Sequence, residues 1–477
     1  MSLLKRMGII AAFCIIMSGC SKGGDNSTLE KTESEIKKPE EIVMLTNTIK
    51  TTEEGMKVFA DEYEKRTGIK MTIKVTEHHD YYETVNILIA ASEQLDCIEV
   101  GSVFYPSYAM YDLLWDMTDS WNNSEIKPVV DESYVDALKI DGRLYGFPLS
   151  KGNGTITYVR GDWLDNLSIN PPKNYSEFYE MLKKFKAMGD NYIPITAAGL
   201  MNSETPYALY LREFYQDAVP DFTLKDGKYV DGMTEPQMVK ALERMKTAYK
   251  DGLIDKDIAT NKTSTCREKF NKGLVGCFNY WAGSWNMTLQ ESINENVPDA
   301  KVVPIPSIEE TKYIERPPLA MVIPISCKNP EGVFKYLIEY SHDGGEGELL
   351  FTSGVEGYHW RQNSDGTQSD IKEHLNAGKA GTYFAPELTF TTFKSKIPLD
   401  ERIINSEDIF MKNSTIASIP LIRKETGSLL PEVDLLRREI IEDIVTTDMT
   451  IEEGLSEYER RGSKTIARIL KNLNEEY

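Results

Sequence analysis

Apolar and polar positions follow two different periods from residue 41 onward. Residues 42–45, "IVML", form a continuous apolar run, the pattern of a buried strand. Thr51 and Glu54 stand three apart as a capping box, after which Met56, Phe59, Ala60 and Tyr63 recur at helical spacing. Gly68 is placed to end that helix, and Met71 to Val75 alternates as a second strand. Such a strand, helix, strand unit closes most economically as a parallel pair. The alternation continues with a helix over Tyr81 to Ser92, a strand over Cys97 to Val100 and a helix over 105–121. "YGFPLS" and "ITYVRGDWL" bring the next strands. The following helix has Asn174 and Glu177 as its cap and Phe178, Met181, Leu182 and Phe185 on its buried face. Residues 234–255 and 264–285 read as helix, turn and strand, and "KVVPIP" and "LAMVIPIS" as strands. From Pro431 the pattern is helical, with Thr450 and Glu453 as a last capping box. The whole predicts an α/β fold with a helical C-terminal region.

The first forty residues break this pattern. Lys5 and Arg6 precede an apolar run from Met7 to Met17, the layout of a secretory signal peptide over residues 1–19. Met17, Ser18, Gly19 and Cys20 resemble the lipobox of bacterial lipoproteins, which implies that Cys20 is acylated and becomes the new amino terminus. Residues 20–40 are polar and have almost nothing to bury, as expected of a tether. No later stretch is apolar enough to span a bilayer. The expected product is therefore held at the membrane by its lipid alone. About 440 residues follow the tether, more than one core usually serves, so two lobes are expected. The formal charge of −21 becomes −23 once Lys5 and Arg6 are removed, which argues against nucleic acid as a partner. Cys97, Cys266, Cys277 and Cys327 show no metal-ligand spacing and read as buried free thiols, with a Cys266 to Cys277 bridge as the alternative.

Hydrolase and nucleotide-binding signatures are missing: there is no GxSxG, HExxH, phosphate-binding GxxxxGK[ST] or GxGxxG. His78 and His79 are adjacent and would face opposite ways on a strand, which disfavours a shared metal. With 75 acidic residues, no local context selects a glycosidase pair. Aromatic residues beside uncharged polar groups are more informative. They gather in "FYPSY" (Phe104, Tyr105, Tyr108), "CFNYWAGSWN" (Tyr280, Trp281, Trp285) and "GVEGYHW" (Glu356, Tyr358, Trp360). Sugar rings present C–H faces that stack on such side chains, and their hydroxyls need polar partners. Each ring could equally be core.

Several longer stretches carry a family resemblance. "GMKVFADEYEKRTGIKMTIKV", "LIAASEQLDCIEVG", "DGRLYGFPLSKGNGTITYVRGDWLDNLSINPPKNYSEFYEMLKKFK", "GLVGCFNYWAGSW" and "FTSGVEGYHW" resemble, in that order, signatures of the solute-binding lipoproteins of bacterial ABC importers. That family includes maltose-binding protein, and the resemblance covers residues 41–477. It implies a two-lobe periplasmic-binding-protein fold (type II) with discontinuous, hinge-linked lobes. Residues 41–152 and about 318–375 would form the N-terminal lobe, 153–317 and about 376–477 the C-terminal lobe. It also implies a monomer on the extracellular face of the cell membrane, of Gram-positive type, that hands an oligosaccharide to a membrane permease without a cofactor or a chemical step. The candidate ligand-contacting residues are Asn47, His79, Tyr105, Tyr280, Trp281, Trp285, Glu356 and Trp360. Asp96 is expected to brace its loop and Trp163 to lie in a lobe core. Relatives that bind peptides or polyamines, a sensory or surface-interaction use of the fold, and an exported glycan-active enzyme are the alternatives.

Overall fold

The computed structural model describes residues 36–47, 51–76, 80–91, 93–101, 104–201, 210–375, 383–396, 398–417 and 427–475. Cys20, the tether up to residue 35 and His79 lie outside them. From Lys37 onward the chain forms one unit built on two sheets. The first has the strand order Lys70–Val75, Glu41–Thr46, Cys97–Val100, Ala320–Val322, Phe147–Pro148. Its first three strands are parallel, as the strand, helix, strand pattern predicts. The second has the order Val302–Pro304, Thr155–Arg160, Val275–Trp281, Ile193–Thr196. Each sheet has its own apolar core, one drawing on residues from Ile42 to Leu149 and from Ala320 to Phe390, the others on Ile156 to Tyr313 and Phe410 to Leu473.

Local signals account for much of this. The helix Tyr175–Ala187 is capped by Asn174, whose side chain accepts from the Glu177 N–H, and it buries the four predicted apolar residues. The helix Ile451–Asn474 opens with a complete Thr450, Glu453 capping box. Gly68, in the left-handed conformation, ends the first helix. That helix is capped by Thr52, one residue later than expected. Thr51 instead donates its hydroxyl to the His374 carbonyl at 2.7 Å, a partner far along the chain. The helix expected over 105–121 is two short pieces, Tyr105–Met110 and Thr118–Asn122. All four cysteines beyond the tether are free thiols.

Three segments run between the sheets. Residues 149–154 pair with 316–319: the Leu149 N–H donates to the Leu319 carbonyl, and the Arg316 N–H to the Asn153 carbonyl. Glycine is required here, because a Cβ at Gly152 would lie 2.2 Å from the Arg316 carbonyl oxygen, and one at Gly154 2.1 Å from that of Ile314. Tyr383, Phe384 and Phe390 still belong to the first core, so the third passage comes after Phe390, later than the expected boundary near 375. The next helix, Glu401–Asn413, is fastened to the second sheet's side, where Ser406 bonds to Tyr158 and to the Gly283 N–H.

Candidate functional site

Strand direction fixes which sheet edges meet. Phe147–Pro148 runs parallel to Cys97–Val100, since both are antiparallel to Ala320–Val322. The chain therefore leaves the first sheet at the edge where Thr46 and Val100 end. It enters the second at Thr155, which pairs with Trp281 at the end of the central strand. The carboxyl ends of both sheets thus bracket the crossing segments, the position where open α/β sheets bind ligands.

On the second lobe, alternation along Val275–Trp281 sends Tyr280 and Trp281 to opposite faces. Tyr280 is buried, stacked on Phe278, and accepts a hydrogen bond from Arg267 Nη1 at 2.5 Å. Trp285 meets Tyr280 edge-on at 4.7 Å, with the Arg267 guanidinium 5.2 Å above its own ring. Trp281 is half-buried, and the Arg316 guanidinium lies 4.4 Å over its ring. Its carbonyl accepts from the Tyr158 hydroxyl at 2.8 Å. Trp281 and Trp285 do not share a helix face, because the helix begins only at Ser284. Tyr280 is a packing residue that supports Trp285.

On the first lobe, Asn47 follows the strand Glu41–Thr46 and is half-buried. Tyr105 is not a surface residue: it is fully buried, its hydroxyl donating to the Leu138 carbonyl at 2.8 Å and accepting from the Tyr145 N–H. Its neighbour Phe104 is the exposed ring of that turn, 39% accessible and stacked on Tyr82 at 3.7 Å. Trp360 is 5% exposed, with its indole N–H bound to the Gly354 carbonyl, so it packs the loop that carries the exposed Glu356. That loop is tied to the start of the first helix through His359 and Thr51. Asp96 accepts the Val43 N–H, and Trp163 is core, both as expected.

The passages between the lobes add groups that the sequence does not single out. Glu315 ends the strand Tyr313–Glu315, Glu387 lies in the turn Pro386–Leu388 before the third passage, and Glu407 lies on the helix Glu401–Asn413. Glu407 Oε1 and Glu387 Oε2 are buried without a hydrogen-bond partner among the described residues. Burial, then the nearby Glu387 charge, pushes the Glu407 carboxyl up to about 8, against the pull of Lys151. Burial likewise raises Glu315, with Lys151 opposing. No group of three or more His, Cys, Asp or Glu among the described residues is arranged to hold a metal ion.

With two lobes, paired crossing segments and an aromatic edge at their junction established, the comparison with known proteins is direct. The family model for bacterial extracellular solute-binding proteins matches residues 49–340. The chain belongs to this family. Among its relatives, Lipoprotein LipO of Bacillus subtilis (strain 168) is 22% identical over 45% of this chain and 44% of its own length. The polygalacturonan/rhamnogalacturonan-binding protein YtcQ of the same organism is 22% identical over 69% of this chain and 70% of its own. The chain thus spans less than half of LipO. The N-glycan transport solute-binding protein NgtS of Streptococcus pneumoniae has the same fold, with a TM-score of 0.67 at 16% identity over 92% of this chain and 99% of that one. This is the two-lobe architecture that the resemblance in the sequence implies. No helix of this solute-binding protein, among the described residues, is long and apolar enough to cross a membrane.

Proposed function

We propose that this protein captures an oligosaccharide between its two lobes and delivers it to an ABC permease, held at the extracellular face of the cell membrane by acylated Cys20. The observation that carries this reading is the junction itself. A half-buried tryptophan and hydrogen-bonding groups meet at the carboxyl ends of two sheets that are joined by crossing segments, the arrangement a hydroxyl-rich, ring-shaped solute needs. Trp281 is the stacking ring, Phe104 with Tyr82 the opposing platform, and Asn47 and Glu356 polar contacts from the first lobe; Trp285 and Tyr280 hold the wall in place. The relative named for polygalacturonan and rhamnogalacturonan, and the structural neighbour named for N-glycan transport, support a glycan as solute. Closing the lobes around it shifts an existing open and closed equilibrium, and the monomer with its ligand is what the permease meets. No chemical step is part of this cycle.

A thermal-shift screen against oligosaccharides tests the reading, since a ligand at a hundred times its Kd stabilises the fold by about 2.7 kcal/mol. A saturable upward shift with an intact glycan recovered afterwards is expected. Hydrolysis of the glycan, or shifts with peptides or polyamines and none with sugars, would contradict it.

A further inference from the structure

The polar groups at the lobe junction are unequal in sign. Lys151 comes from the first passage, Glu315 from the end of the strand that leads into the second, Glu387 from the turn before the third, and Glu407 from the helix that follows it. Lys151 and Glu315 are the two charged groups that act on Glu407 from the paired crossing strands. Glu315 is 3% exposed, and burial raises its carboxyl against the opposing charge of Lys151. Glu387 Oε2 and Glu407 Oε1 are each shut away from water with no partner among the described residues. Gly283, two residues after Trp281, leaves the room that Glu407 occupies, since a Cβ there would stand 2.3 Å from Glu407 Oε1. The acids therefore adjoin the aromatic wall. Buried carboxylate oxygens without donors are unfavourable for folding alone. Such groups are kept where something else supplies the donors.

We propose that Glu315, Glu387 and Glu407, with Lys151, form a subsite at the lobe junction that takes a donor-rich sugar unit, an amino sugar best of all, and excludes uronates. This rests on the carbohydrate reading above and adds the charge class of the solute, which relatives that range from N-glycan to pectin binding leave open. An ammonium group brings three donors and a positive charge, and a neutral sugar brings hydroxyl donors. A uronate carboxylate brings acceptors only and a further negative charge beside three acids and one lysine. The arginines of the wall are already engaged with its rings: Arg267 with Tyr280 and Trp285, Arg316 with Trp281. Binding also has a proton signature. Glu407 faces Glu387, Lys151, Glu315 and Asp408, and its charge in turn reaches Tyr134 and Tyr158. With its carboxyl held up to about 8, Glu407 carries a proton at neutral pH, and an incoming ammonium displaces it.

The test is calorimetry at pH 7 on the purified protein with two series of tetrasaccharides, β-1,4-gluco and α-1,4-galacto. Each series is used as the neutral sugar, the 2-amino sugar and the uronate. In the series that binds, affinity should fall from amino to neutral to uronate by about tenfold per step. Repeating the titration in buffers of different ionisation enthalpy should show proton release with the amino sugar and none with the neutral one. Glu407→Gln should abolish that release and bring the amino and neutral affinities together. A uronate bound as tightly as its neutral counterpart, or an amino preference untouched by Glu407→Gln and by Glu315→Gln, would overturn the subsite and leave carbohydrate binding standing. Failure of every sugar in both series and in the wider screen would overturn the two together.

Discussion

At the C-terminal helices and at the lobe junction the protein buries charge in opposite ways. Arg437 is fully buried, and every arm of its guanidinium is met: Asp221 at 2.9 Å, Asp231 at 2.9 Å, Asp434 at 3.1 Å and the Tyr458 hydroxyl at 3.2 Å. Burial works against its charge, yet the carboxylates outweigh it and hold it above its usual range. This cluster joins the helix Leu430–Thr446 to the hairpin of Phe222–Lys225 and Lys228–Asp231 and to the final helix. Glu315, Glu387 and Glu407 have no such closure. The first arrangement is complete without a ligand, and the second is not. The clamp pairs its buried charges and so holds the fold together; in the proposed subsite that pairing is left to a ligand, at a cost in stability.

The strongest way to break this contrast is at the complete cluster. Arg437→Met leaves Asp221 and Asp231 buried without a cation, and should lower unfolding stability by about 3–5 kcal/mol in urea denaturation. A loss under about 1 kcal/mol would mean that the cluster is no clamp. Next in size is the wall: Trp285→Ala removes a half-buried ring packed on Tyr280, and about 2 kcal/mol of stability should go with it. The change in Trp285 should appear in melting before it appears in ligand affinity.

A third effect is a pH dependence. Glu407 has a folded pKa of about 8 against an ordinary 4.5, so the folded state holds more protons than the unfolded one between those values. Stability from this group is full below the ordinary value and is lost as pH rises through the folded one. Wild-type stability should therefore decline across that window, and Glu407→Gln should flatten the decline. Glu348, which burial pushes up to about 7, acts in the same sense and keeps part of the slope. Identical slopes in the two proteins, by denaturation at several pH values, would place Glu407 in contact with water rather than in the junction.

What the sequence reveals divides along the same line. Asn174 with Glu177 and Thr450 with Glu453 are legible because a cap is closed within four residues. Gly68 is legible as a helix stop for the same reason. The choice of Thr52 over Thr51 as a cap is not, since it turns on a bond from Thr51 to residue 374. "KGNG" shows its glycines but not their cause, which is the backbone of residues 314–316 pressed against them. Aromatic density finds the wall yet cannot rank its members: Tyr105 and Phe104 are neighbours, and only the turn decides that the first is core and the second exposed. The acids of the junction come from three distant segments, and nothing local distinguishes them from the other carboxylates of an acidic chain. Core and caps are written in short range; the site is assembled by topology.

The most direct test of the account is calorimetric titration of wild type and Trp281→Ala with an oligosaccharide that the thermal screen selects. Loss of the stacking ring should weaken binding by about tenfold, near 1.4 kcal/mol, with the melting temperature of the unliganded protein little changed. Wild-type affinity in Trp281→Ala would contradict the placement of the solute between the lobes.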